Sequence, residues 1–166
     1  MSKKVAVIMG SDSDLPVVKK AVDVLKSFDV PYTVHVLSAH RCPEQVAQFA
    51  KNAQAEGYGV MICAAGMAAH LAGAVTANCL LPVIAIPVKS KSLDGVDALL
   101  SSVMMPPGMP VATVGIDGAA NAGYLAVQML AIYDEGLAAK YADFRKAQTL
   151  KCLDADKNIY DKLNQL

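Results

Sequence analysis

The feature that most restricts how this chain can fold is a set of short runs that are apolar at every position. Val5–Met9 reads VAVIM, Val60–Ala64 reads VMICA, and Pro82–Val88 reads PVIAIPV. A strand with one wet face alternates apolar and polar residues, whereas a strand covered on both faces has no such need. Tyr32–Leu37 and Val111–Val114 read as two further strands. Between them the period changes. From Leu15 to Phe28, apolar residues fall at Val17, Val18, Ala21, Val22, Leu25 and Phe28, a helical spacing with Asp14 as the expected N-cap. Pro43 and Glu44 open a second helix running to about Gly57, proline being well suited to a first turn. A small-residue helix follows the third strand as far as Asn78, and others are expected over Gly95–Ser102 and Asn121–Tyr133. Beyond Glu135 two more helices are expected, broken near Cys152–Asp154.

Continuous apolar strands joined by helices imply a parallel sheet covered on both faces. Five such units fit an α/β, three-layer, flavodoxin-like open sheet of five strands in the order 2-1-3-4-5, with a C-terminal helical extension. No repeat, linker or low-complexity tract interrupts the 166 residues. One domain over residues 1–166 is therefore expected, with an α/β core over 1–134 and C-terminal helices over 135–166.

Hydrophobic residues make up 54% of the chain and the mean hydropathy is +0.36. Membrane insertion and burial between subunits both produce such an excess. The longest apolar stretch, Gly59–Ala69, is mostly Gly and Ala and is stopped by His70, short of the roughly 18 residues a spanning helix needs. Burial in a sheet and a subunit interface is the better account, so no membrane partner is expected. Fifteen basic and fifteen acidic residues leave a net charge of zero, unlike the basic face that nucleic acid demands. MSKK leads straight into the first apolar run, and Cys42, Cys63, Cys79 and Cys152 share no C-x-x-C spacing. A cytoplasmic protein with reduced thiols is expected.

In open parallel sheets, ligands bind beyond the carboxyl ends of the strands where the strand order reverses. Four successive strands are followed there by residues with chemistry: Gly10-Ser11-Asp12-Ser13-Asp14, Ser38-Ala39-His40-Arg41, Ala65-Gly66-Met67-Ala68-Ala69-His70 and Lys89-Ser90-Lys91-Ser92. Two of the three histidines are thus expected at one crevice. GSDSD can offer N–H groups and hydroxyls to a phosphate at a helix start, or merely form the turn and cap the helix. With Gly10 alone it matches neither a P-loop nor a dinucleotide fingerprint. Arg41 can hold a phosphate or carboxylate through two parallel hydrogen bonds, or lie solvated on the surface. His40 can shuttle a proton near neutral pH, or cap and pack. His70 can line the ligand site or be a buried structural histidine. His35, inside a strand without polar company, reads as structural. No i, i+4 histidine pair or acidic cluster suggests a metal, and Cys42 lacks an evident base to make it a nucleophile.

Taken in order and spacing, GSDSD, SAHR, AAGMAAHLAG, PVKSKSLDGVDALLSSVMMPPGMPVATVGID and ANAGYLAVQML are similar to the class I N5-carboxyaminoimidazole ribonucleotide mutases, small enzymes of bacterial purine synthesis. The resemblance covers the chain to about Leu150. It implies His40 as the single general acid–base and no cofactor. Ser11, Ser13 and Asp14 would contact the ribosyl phosphate part of the substrate and Arg41 its phosphate, with Ser38 nearby; Gly66 and His70 would line the pocket. It also implies a homo-octamer, with the helices after residue 134 packed on a neighbour. Arg41 favours the mutases over the related aminoimidazole ribonucleotide carboxylases, which tend to carry lysine there. Three positions depart from the commoner pattern: Met67 stands for a glycine, Ala72 for a proline and Cys42 for a threonine. The remaining alternatives are a carboxylase using free CO2, a non-catalytic nucleotide- or flavin-binding module, and a purely structural subunit. The small residues Ala64–Ala69 suggest either close helix–sheet packing or a tight, dry pocket around a flat ring.

Overall fold

The computed structural model describes residues 3–164. Five strands, β1 (Lys4–Met9), β2 (Tyr32–Val36), β3 (Tyr58–Gly66), β4 (Val83–Val88) and β5 (Ala112–Thr113), form one parallel sheet in the order β2-β1-β3-β4-β5. The expected order is the observed one. The helices are α1 (Leu15–Ser27), α2 (Pro43–Ala53), α3 (Leu71–Thr76), α4 (Val96–Val103), α5 (Ala119–Ala131), α6 (Glu135–Lys157) and α7 (Ile159–Leu163).

Strand β1 shows why its sequence is apolar throughout. Val5, Val7 and Met9 turn to one face and pack with Val18, Ala21 and Leu25 of α1 and with Ala122 and Ala126 of α5. Ala6 and Ile8 turn to the other, toward Val46 and Ala50 of α2 and Leu71 and Val75 of α3. Each side chain is covered whichever way the pleat points it. Burying a residue such as Ile62 or Ile84, both fully buried, contributes about 1.5–3 kcal/mol.

Two expectations need correction. The tail does not break at Cys152–Asp154: α6 runs unbroken from Glu135 to Lys157. After Gly136 its sequence holds neither glycine nor proline and is rich in Ala, Leu and Lys, so nothing local stops it. It ends at Asn158, whose side-chain amide donates to the Asp154 carbonyl at 2.8 Å. Asp14 occupies the N-cap position of α1 without making a side-chain cap bond. The cap moves to Ser11, which accepts from the Ser13 N–H and begins a 3-10 turn over Asp12–Asp14. No helix among the described residues is long and apolar enough to cross a membrane.

Candidate active site

All four loops beyond the strand ends reach one cavity of about 480 Å³. Its lining includes Ser11, Ser13, Asp14, Ser38, His40, Arg41, Gly66, Met67, His70, Lys89 and Ser90. The volume lies within the range usual for small-ligand sites, about 300–1,000 Å³. The eight residues to which the resemblance gives a role, Ser11, Ser13, Asp14, Ser38, His40, Arg41, Gly66 and His70, are all there, while Asp12 of the first loop is not. Of the fourth loop, Lys89 and Ser90 line the cavity but Lys91 and Ser92 do not.

The first loop is tied internally. The Ser13 hydroxyl donates to Ser11 Oγ at 2.8 Å, and the Asp14 N–H donates to the Ser11 carbonyl at 3.1 Å. Burial pushes the Asp14 carboxyl above the ordinary carboxylate range; hydrogen bonds from Ser11 and Ser13 and the Arg41 charge oppose this, while Asp117 adds to it. The second loop leaves β2 beside β1, where the Leu37 N–H donates to the Met9 carbonyl at 2.9 Å. From this turn Arg41 reaches across and donates through Nη2 to the Gly10 carbonyl. Only part of the guanidinium fork is used this way, and its other donors are left for a ligand.

His40 and His70, thirty residues apart, meet in the cavity. His40 Nε2 lies 2.9 Å from His70 Nδ1, with ring centroids 4.9 Å apart at 70°. His70 Nδ1 also lies 3.1 Å from the Ala68 carbonyl, which can only accept. With its proton on Nδ1, His70 donates to the carbonyl and to the His40 Nε2 lone pair; when His40 is protonated, its Nε2–H donates and His70 Nδ1 accepts. In either state the contact fixes the orientation of the His40 ring. Sequence reading put both histidines on one rim but did not pair them.

Met67 has φ of 52°, the left-handed region that glycine occupies without cost. The common glycine at this place is thereby explained; the methionine side chain stands 64% exposed at the cavity rim. Gly66 is held tightly: a Cβ there would meet the Val88 carbonyl at 3.3 Å. The expected dryness is not met by this chain alone. Ala64 and Ala69 are buried, but Ala68, His40 and His70 are exposed.

Asp117 was not anticipated. It follows β5, has φ of 54°, and accepts the Lys89 N–H at 2.9 Å, fastening the fourth loop beside the cavity. The Lys89 ammonium itself pairs with Asp94 at 3.1 Å. His35 also needs correction, since it has polar company. Its Nε2 lies 2.8 Å from Thr33 Oγ1, which lies 2.8 Å from the Tyr58 hydroxyl. It stays outside the cavity, packed on Phe49, and burial lowers its pKa. No cluster of three or more metal-ligating side chains occurs among the described residues.

Fold and cavity define an open parallel α/β protein with a ligand site at its topological switch point, carrying a histidine pair, an arginine and a partly buried carboxylate. The chain belongs to the AIR carboxylase family, which it matches over residues 4–151. It is 52% identical over 143 residues to the N5-carboxyaminoimidazole ribonucleotide mutase of Pyrococcus abyssi, covering 86% of this chain and 82% of that protein. To the N5-carboxyaminoimidazole ribonucleotide mutase of Methanocaldococcus jannaschii it is 50% identical over 155 residues, 93% of this chain and 96% of the relative. The crystal structure of Treponema denticola PurE superposes with a TM-score of 0.86 at 30% identity, covering 94% of this chain and 98% of that one.

Proposed function

We infer that this chain is an N5-carboxyaminoimidazole ribonucleotide mutase of purine (IMP) biosynthesis. It converts that ribonucleotide into 4-carboxy-5-aminoimidazole ribonucleotide. The observation that carries the reading is the cavity in which His40, backed by His70 at 2.9 Å, shares the lining with Arg41 and Asp14.

The substrate carries a phosphate, a ribose and a carbamate on an electron-rich ring. Arg41 binds the phosphate with Ser38 beside it, and Ser11, Ser13 and Asp14 take the ribosyl phosphate portion through hydroxyl and carboxylate hydrogen bonds. Gly66 and His70 border the ring. Protonated His40 gives its proton to the carbamate nitrogen; the C–N bond breaks, leaving CO2 and a neutral amine. Carbon 4 then attacks the CO2, forming the new C–C bond. His40 takes back the proton that carbon 4 must lose to restore aromaticity. One proton is given and one recovered, so a single imidazole serves both steps.

Recapture requires that CO2 stay near the ring while water is excluded. One chain leaves the cavity open; the reading includes the homo-octamer that the resemblance implies, in which helices α6 and α7 of the expected 135–166 tail pack on a neighbour while the expected 1–134 unit supplies the α/β core of a single domain, residues 1–2 and 165–166 lying outside the described residues. Leu150, Leu153, Ile159, Tyr160 and Leu163 are exposed on the tail, and Leu93, Val96, Leu100 and Val103 on and beside α4. Such apolar surface fits burial between copies. The enzyme is cytoplasmic and uses no cofactor in this scheme.

The test follows absorbance of isomerisation in wild type and His40→Asn, with labelled bicarbonate present. Loss of turnover in the variant by about 10²-fold or more, without label entering the wild-type product, is expected. Near-normal turnover removes His40 from this role, and label in the product makes the chain a carboxylase of free CO2.

A further inference from the structure

We propose that Cys42 is a positioning residue for catalysis: its thiol clamps the turn that presents His40 and Arg41. The proposal rests on the roles given above to those two side chains.

Ser38 and Cys42 bracket the turn. The Cys42 N–H donates to the Ser38 carbonyl at 2.9 Å. The Ser38 N–H donates to Cys42 Sγ at 3.1 Å, and the thiol donates back to the Ser38 carbonyl at 3.2 Å. One side chain therefore satisfies both backbone polar groups of the residue on the far side of the turn. The Ser38 hydroxyl adds a further tie by accepting the Arg41 N–H at 3.3 Å. Backbone groups at such a turn need partners once partly buried, and Ser38 and Cys42 are both half-buried.

What the clamp fixes is the path of the backbone between two anchors. On one side, β2 is held to β1 through the Leu37 N–H. On the other, α2 begins with Pro43, and Cys42 makes no cap bond to it. The thiol is thus not spent on the helix end, where a capping side chain would be; it faces backward across the turn. His40 and Arg41 sit inside that closed loop, reaching to His70 and to the Gly10 carbonyl respectively. Without the clamp, Ser38 loses partners for its N–H, and the two working side chains gain freedom together. Neither nucleophilic nor redox chemistry is asked of the thiol, and Cys42 does not line the cavity. A side chain acting only through the turn should be replaceable by another that both donates and accepts.

The experiment compares Cys42→Ser, Cys42→Ala and Cys42→Val with wild type, and runs His40→Asn alongside, each assayed below its own melting temperature with circular dichroism to check the fold. Serine keeps a donor and an acceptor; alanine and valine keep neither, and valine retains the bulk if alanine leaves a void. We expect serine to hold kcat/KM within about threefold, and the apolar variants to lose roughly 10- to 100-fold, as small misplacements of reacting groups do. The loss is expected in both kcat, through His40, and KM, through Arg41. Equal activity of all three variants with His40→Asn inactive overturns the clamp and leaves the catalytic reading intact. Serine failing as badly as valine also overturns it. An active His40→Asn overturns the catalytic reading instead.

Discussion

Replacing Gly123 by alanine sets two effects of similar size against each other. Gly123 lies in α5 where that helix presses on α1, and a Cβ built there would stand 2.8 Å from Val24 Cβ, 2.9 Å from the Ala21 carbonyl oxygen and 3.1 Å from Val24 Cγ1. In an exposed helix the exchange would gain about 1 kcal/mol from propensity. Here one obstacle is a backbone oxygen inside α1 and another is the branch point of a β-branched residue, so neither yields by rotamer change. Relief requires α5 to retreat from α1 along a contact that also holds Ala21, Ala122 and Ala126, all fully buried. A gap of about 0.5–1 Å forfeits a quarter to a half of the dispersion across it, and overpacking of this kind costs about 1–3 kcal/mol, occasionally more. The clash outweighs the propensity gain, for a net loss of up to about 2 kcal/mol. Urea unfolding at one fixed protein concentration, followed by circular dichroism, would show the midpoint shifted downward. A midpoint raised by the amount typical of Gly→Ala in helices would refute the packing argument, since it would mean that α1 and α5 separate without cost.

Asp14→Asn should be more stable than wild type at neutral pH while losing about tenfold in kcat/KM, the scale of a lost hydrogen bond to a charged group. Burial raises the folded-state pKa of Asp14, so the folded chain holds the proton more tightly than the unfolded one, and stability falls as pH rises from the ordinary carboxylate value through the raised one. The advantage of asparagine should therefore vanish in acid; a variant less stable than wild type at pH 7 contradicts this sign. For the assembly, light scattering should give about eight times the chain mass of 17.4 kDa, and truncation after Asp134 should lower it; a monomeric mass for the whole chain refutes the oligomer.

The sheet order was legible because three apolar runs and two further strands, separated by helical stretches, leave few other topologies. That same order carried the site, since it fixes which loops meet. What remained hidden depends on side-chain reach rather than on period. The approach of His40 to His70 needs the register of β1 between β2 and β3, which pairs Met9 with both Val36 and Ala64. Asp117 is one aspartate among many until the Lys89 N–H is seen to lie against it. No break occurs at Cys152–Asp154 because aspartate costs a helix only a fraction of what proline does. At Asp14 the expected N-cap position is the observed one, but the side chain that caps is that of Ser11. The 3-10 turn inserted before α1 hands the capping to Ser11 and releases the Asp14 carboxylate toward the cavity.

That release matters for how the site is held. The loops after β1, β2 and β3 are joined to one another: Arg41 reaches the Gly10 carbonyl, His40 reaches His70, and the Gly10 N–H donates to the Ala64 carbonyl at 3.1 Å. Orientation of the groups assigned to the chemistry is thus largely established within one chain before any ligand arrives, which is the condition for cheap proton transfer. Exclusion of water is not, because Met67, Ala68, His40 and His70 all stand exposed. Positioning and confinement therefore have different physical sources in the proposed mechanism. Variants of the turn residues should disturb proton transfer whatever the assembly state, whereas variants of the exposed apolar surface should spare the geometry and release CO2. The ratio of carboxylated product to free aminoimidazole ribonucleotide separates the two, because lost confinement raises the second product and lost positioning lowers both.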